Sequence, residues 1–144
     1  MSLRDPLPVW VAALWWGSLL TTGCMAVPVL FSYASTPAIA GALAARLFTA
    51  QTWLSLGCAL LLLLMSQSHR AGTRMDWARG ALFFVVAGML LAMLTEFAVA
   101  PRIVARQNLR LWHAVGSGML VLQWIRAGTV LWKLTSGLKP AGPS

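Results

Sequence analysis

One carboxylate lies deep within an apolar part of this sequence. Glu96 is the only acid between Trp77 and the C-terminus, and it stands near the end of a long apolar run. A carboxylate in hydrocarbon is costly unless it is neutral, paired or facing water, so an intramembrane Glu marks a candidate functional site. The chemistry open to it is pairing with Arg or His, ligand binding or proton handling.

Three cationic side chains are predicted to lie near Glu96. Counted at about 1.5 Å per residue from the same face of the membrane, Glu96, His113 and Arg46 all come out about 28–30 Å along their helices. Together with Arg102 they form the predicted polar intramembrane site. Three alternatives stay open: an interhelical pair that only fixes packing, a site that binds a ligand or handles protons, and polar groups that simply face interfacial water. Two further polar residues expected at the edge of this layer are Gln51 and Tyr33.

Sulfur side chains form a second candidate set. Met89 and Met93 share a helical stripe with Glu96, and Cys24 comes out at about the same depth as Met93, about 24 Å along its helix. Thiolate and thioether ligands favour Cu(I) and similar soft ions. Methionine also fills gaps in apolar cores, and no compact ligand motif is present, so packing and metal contact both stay open. The candidate metal residues are Cys24, Met25, Met89 and Met93.

The sequence contains few other residues that could bind a cofactor or take part in catalysis. His113 is the only histidine within an apolar run, and it could serve as a single axial ligand of haem iron. The sequence has no Gly-rich phosphate loop, no paired carboxylates and no Ser/His/Asp set, so an enzyme would need a cofactor or a partner. It therefore favours a non-enzymatic binding or accessory module, with a soft-metal ion or haem as possible cofactors.

Composition indicates a membrane protein. The 144 residues are 59% hydrophobic and only 10% charged, whereas a soluble domain carries about 25% charged residues. The formal charge of +8 would suggest nucleic acid in a soluble protein, but here the cations lie mostly at the ends of apolar runs. Nucleic acid is thus not an expected partner. The expected partner is the lipid bilayer, with a membrane protein or a second copy as a further possibility.

Four apolar runs predict an all-α integral membrane protein, a single domain folded as an antiparallel bundle of four transmembrane helices. Thr36 as N-cap and Pro37 at the first helical position begin an extension that precedes the second span. Pro28 and Pro101 are expected to kink or end their helices. The predicted spans are residues 8–31, 47–65, 77–100 and 111–133.

Four spans place both termini on the same side of the membrane as the polar segment 66–76, here called the loop-side face. Lys and Arg are more frequent on this side, so the positive-inside rule predicts cytoplasmic termini in a bacterial inner membrane. Arg126 lies about 10 Å inside the loop-side face and is predicted to snorkel to it as an anchor. The loop-side cations are Arg4, Arg70, Arg74, Arg79, Lys133 and Lys139, and those on the opposite side are Arg46, Arg102, Arg106 and Arg110.

Short motifs occur along the chain in an order that is typical of one family. They are Trp16-Gly17, Val27-Pro28-Val29-Leu30-Phe31, Ala40-Gly41 ahead of Leu47-Phe48, Pro101-Arg102, and His113 with Ser117. With these motifs the sequence resembles, from about Leu7 to Lys133, bacterial membrane proteins of a domain-of-unknown-function family. That family is related to the eukaryotic transmembrane-protein-205-like family.

The resemblance implies four helices and no established enzymatic activity. The eukaryotic branch is linked to platinum-drug resistance, with sulfur residues in membrane helices proposed as metal contacts, and this favours the soft-metal alternative. The sequence departs from that pattern, because Met89 and Met93 give a Met-x-x-x-Met pair but no Cys-x-x-x-Met pair exists. A more distant likeness to copper-resistance-type and haem-associated membrane proteins rests on Trp16-Gly17 and Pro28.

Overall fold

The computed structural model describes residues 6–68, 75–105 and 109–136, and nearly all of them are helical. Two five-residue π-helical segments, Thr22–Ala26 and Thr95–Val99, join α1 to α2 and α4 to α5 without a break. The α-helices are α1 (Leu7–Thr21), α2 (Val27–Tyr33), α3 (Pro37–Ser68), α4 (Met75–Leu94), α5 (Ala100–Val104) and α6 (Leu109–Ser136).

Four helical stretches are long and apolar enough to cross a membrane. They are span 1 (Leu7–Tyr33), span 2 (Pro37–Ser66), span 3 (Leu82–Arg102) and span 4 (Leu111–Ser136). Spans 1 and 3 each pack against spans 2 and 4, which closes a four-helix bundle. Many large apolar side chains lie on its outer surface, where lipid rather than water would solvate them. The four-helix membrane fold expected from the sequence is confirmed.

The extension that leads into the second span begins where the sequence predicted, at Pro37. The hydroxyl oxygen of Thr36 accepts the backbone N–H of Ile39 at 3.3 Å, which makes Thr36 the N-cap and places Pro37 in the first turn. From Pro37 the helix continues unbroken to Ser68. The extension and the span that follows it are therefore one helix.

Neither Pro28 nor Pro101 ends its helix, contrary to one of the outcomes expected from the sequence. Proline has no N–H to donate, and its ring clashes with the carbonyl one turn earlier. Here each proline is the second residue after a π-helical segment, whose wider turn carries the chain past the clash. In both segments the closing bond spans five residues, from the Val27 N–H to the Thr22 carbonyl and from the Ala100 N–H to the Thr95 carbonyl.

Trp15 lies at the centre of the bundle. Its side chain is 0% exposed and belongs to a core to which all four spans contribute. Gly88 of span 3 faces it so closely that a Cβ atom there would lie 2.7 Å from Trp15 Cη2. Each span also presents one fully buried small residue, which lets the backbones approach. These residues are Ala12, Ala59, Ala92 and Ala127.

Buried polar side chains link span 1 to span 2. The Thr22 hydroxyl donates to Gln51 Oε1 at 2.8 Å, and Gln51 Nε2 donates to Ser18 Oγ at 3.0 Å and to Ser55 Oγ at 3.3 Å. Gln51 thus lies in the bundle core, not at the edge of the Glu96 layer as the sequence suggested. Tyr33, the other expected edge residue, is 87% exposed.

Spans 3 and 4 repeat this pattern in simpler form. Thr95, which begins the second π-helical segment as Thr22 begins the first, accepts a hydrogen bond from Gln123 Nε2 at 3.4 Å. The two helical hairpins, spans 1–2 and spans 3–4, therefore share a threonine, a π-helical segment, a proline and a glutamine in corresponding places.

Candidate functional site

Glu96 lies in the π-helical segment Thr95–Val99 and is half-buried. Its Oε1 accepts a hydrogen bond of 2.9 Å from the Thr49 hydroxyl of span 2. Thr49 stands within one helical turn of Arg46, so spans 2 and 3 meet close to the depth that helical rise predicted. No sequence pattern marks Thr49 itself, because a single threonine in an apolar helix has many possible neighbours.

The predicted cations have other surroundings. Arg102 Nη1 donates to the Ala98 carbonyl at 2.8 Å, and its guanidinium carbon lies 4.7 Å from the centroid of the Trp112 ring. The side chains of Arg46 and His113 are exposed. Among the residues that the structure describes, Glu96 makes no ion pair with any of the three. Their joint action with Glu96 stays a prediction, and Arg106, which the sequence predicts on the same side, lies outside the described residues.

Energetics indicate that the Thr49–Glu96 bond does not by itself account for Glu96. Hydrogen bonds between membrane helices contribute about 0.6 kcal/mol on average. An acidic or basic side chain at the centre of a transmembrane helix costs about 2.5–3.5 kcal/mol on insertion scales. Glu96 lies six residues, about 9 Å, before the end of span 3, so it bears part of that cost. A neutral polar residue would make the same interhelical bond at lower cost. This difference favours a role for the carboxylate beyond packing.

The four candidate metal residues point in different directions. Cys24 is exposed, and the side chains of Met25 and Met93 are 65% and 44% exposed. Met89 instead packs against the apolar core. Within the described ranges no group of three His, Cys, Asp or Glu residues could hold a metal ion. The soft-metal and haem alternatives stay predictions.

The soft-metal alternative is tested by Met93→Leu, which keeps the volume and removes the sulfur. If Met93 is a ligand, Cu(I) affinity falls by at least the roughly 10–100-fold that loss of even an outer-shell partner costs. Elemental analysis after titration with Cu(I) in mild detergent measures the stoichiometry. Met119→Leu is the matched control, since Met119 lies beside the Thr95 hydroxyl, outside the proposed ligand set. Equal Cu(I) uptake by the parent and both variants would show that Met93 is not a Cu(I) ligand.

Comparison with known sequences places most of the chain in one family. The profile of DUF4149, described as a domain of unknown function, matches residues 10–111. That range takes in spans 1 to 3 and reaches the start of span 4. No curated protein and no solved structure matches the chain significantly.

Proposed function

Since the chain belongs to the DUF4149 family, a domain of unknown function, we propose that it is a small non-enzymatic binding or accessory module of the bacterial inner membrane. Glu96 is its binding group. The observation that carries this proposal is the surroundings of the carboxylate: within the described residues its partner is the neutral Thr49 hydroxyl, and no cation neutralises it.

The ligand that suits this site is a cationic group. Thr49 holds Oε1 in place, while Oε2 has no partner among the described residues. Arg102, the cation nearest to Glu96 along span 3, is already engaged by the Ala98 carbonyl and the Trp112 ring. A proton, a metal cation or a basic group of a membrane partner would each remove the cost of an unpaired carboxylate in the membrane.

A hydrophobic carbodiimide tests whether Glu96 can be reached and occupied. Dicyclohexylcarbodiimide modifies protonated carboxyl groups within membranes, and mass spectrometry locates the adduct. We expect an adduct on Glu96 in the detergent-purified protein, and a labelling rate at least about tenfold lower when the lipophilic cation tetraphenylphosphonium is bound, which corresponds to about 1.4 kcal/mol.

Glu96→Gln is the control for folding. Glutamine keeps an Oε1 that accepts from Thr49, so the variant should melt within a few degrees of the parent, yet its position 96 should take no adduct. Absence of label on Glu96 in the parent would contradict the proposal. A labelling rate that the cation leaves unchanged would exclude a bulky cationic ligand and leave the proton.

A further inference from the structure

The two glutamines of the repeated pattern differ in how completely they are satisfied. Gln51 has three hydroxyl partners, two of which are Ser18 and Ser55. Ser18 stands four residues before the π-helical threonine, and Ser55 four residues after the glutamine. The residues in the same places of the second hairpin are apolar, Leu91 and Ala127.

Gln123 is therefore under-satisfied. Its side chain is only 3% exposed, and its one hydrogen-bond partner among the described residues is Thr95, at the long distance of 3.4 Å. A buried amide without full hydrogen bonding costs free energy, and in a membrane no bulk water relieves that cost. Gln123 thus has fewer hydrogen-bond partners than Gln51, because the two serine hydroxyls that bond to Gln51 have no counterparts in the second hairpin.

Arg126 adds unpaired donors beside Gln123. The two residues are three apart on α6 and so lie on one side of the helix. The Nε and Nη1 atoms of Arg126 are buried and have no acceptor in the described part of the chain. The corresponding residue of the first hairpin is Leu54, an exposed apolar side chain. Arg126 is thus more than the surface anchor that the sequence suggested, because part of its guanidinium is enclosed by the bundle.

No acid within the four spans is placed to neutralise Arg126. Glu96 is the one carboxylate in these segments, and it bonds to Thr49 of span 2. Arg126 lies seven residues before Lys133, about 10 Å along α6, and two of its three guanidinium nitrogens are buried in the bundle. A charge at such a depth without a partner marks a candidate binding site.

We propose that Arg126 and Gln123 bind the headgroup of an acyl-chain lipid with a net negative charge, a carboxylate or a phosphate without a cationic group beside it, that enters from the bilayer. The Arg126 side chain is only partly buried, so a headgroup oxygen can reach its guanidinium from the bilayer, and charge-assisted bonds to a carboxylate or phosphate are about twice as strong as neutral ones. A shift of the side chain would bring its buried Nε and Nη1 donors to the same ligand. Gln123 supplies a neutral donor at the same level. The acyl chain of the lipid stays in the hydrocarbon of the bilayer, and it carries the attached anionic headgroup to the depth of Arg126. The site is separate from Glu96.

Titrations of the detergent-purified protein, followed by native mass spectrometry, test the proposal. The ligands are oleate, an anionic phosphatidylglycerol, a zwitterionic phosphatidylcholine and inorganic phosphate. We expect a one-to-one complex with oleate or phosphatidylglycerol and no saturable complex with the other two. Arg126→Gln should raise the Kd at least tenfold, and Gln123→Leu should raise it less. Binding of inorganic phosphate alone would overturn the assignment to a lipid.

Lys133→Gln is the matched control, because it removes the same charge from the same side of α6. The Lys133 ammonium lies 5.7 Å from the centroid of the Phe84 ring, away from the proposed site. It should leave the Kd unchanged, and Arg126→Gln should melt no lower than the parent, because it removes a buried unpaired charge. Equal affinity of the parent and Arg126→Gln, or equal loss in Arg126→Gln and Lys133→Gln, would overturn the proposal. Glu96→Gln should bind the lipid normally, so this test and that of the proposed function fail independently.

Discussion

Replacing Trp15 by alanine is expected to lower the free energy of unfolding by about 3–5 kcal/mol, the range that fits removal of a fully buried large aromatic side chain. In lipid the loss is one of packing, since hydrocarbon solvates an apolar helix surface as well as another helix does. Trp15 is 0% exposed and contacts a core built from all four spans, so its removal leaves a cavity that the helices cannot fill without moving. Thermal unfolding in mild detergent, followed by circular dichroism, measures the effect.

Trp10→Ala is the matched control. It is the same substitution on the same helix, but the Trp10 side chain is 70% exposed on the outer surface of the bundle. Its loss should change the melting temperature little. If the two variants lost equal stability, Trp15 would not be the centre of the packed core.

Gly88, which faces Trp15, allows a second test of the packing around this side chain. A Cβ atom at this position would lie 2.7 Å from Trp15 Cη2, so Gly88→Ala must displace the indole ring or separate spans 1 and 3. Overpacking of this kind costs about 1–3 kcal/mol. In the Trp15→Ala background the same change meets empty space and should be neutral or stabilising, because alanine is the better helix former. A coupling near zero in this double-mutant cycle would show that the two residues do not touch.

The fold was predictable because its signals are local. Apolar runs of sufficient length define spanning helices whatever their neighbours are. Thr36 and Pro37 mark a helix start through bonds made within a single turn. The effect of Pro28 and Pro101 was not predictable in the same way. It depends on whether the preceding turn can widen into a π-helical segment, and neighbouring helices decide that.

For the candidate site, the sequence predicts the level of each residue along its helix but not the direction in which its side chain points. Helical rise gives the level of a residue, so Glu96 could be placed near the level of Arg46 from the sequence alone. Which side chain faces it depends on the rotation of span 2 about its own axis. In the structure Thr49 bonds to Glu96, whereas Arg46, one turn earlier on the same side of the helix, is exposed. The same uncertainty concealed the partners of Gln51 and the unpaired donors of Arg126.

The orientation of the bundle is expected to place both termini in the cytoplasm. Fusions of reporters to the C-terminus test this, since green fluorescent protein folds in the cytoplasm and alkaline phosphatase is active only outside it. We expect a fluorescent C-terminal fusion without phosphatase activity, and the reverse pair of results for fusions made after Gln107. The physical reason is the excess of Lys and Arg on the loop-side face. Phosphatase activity at the C-terminus would reverse the assignment.

The excess of Lys and Arg on the loop-side face can itself be removed by substitution. Changing Arg70 and Arg74 together to glutamine leaves similar numbers of cations on the two sides, so the fusions should then report a mixed orientation. The orientation also decides where the two proposed sites find their ligands. With cytoplasmic termini, Glu96 lies in the half of the bundle nearer the opposite compartment, from which its cationic group would come. Arg126 lies in the half nearer the cytoplasmic leaflet, whose anionic lipids are the oxyanion carriers that its donors require. If the orientation were reversed, both sites would remain, but each would take its ligand from the other side of the membrane.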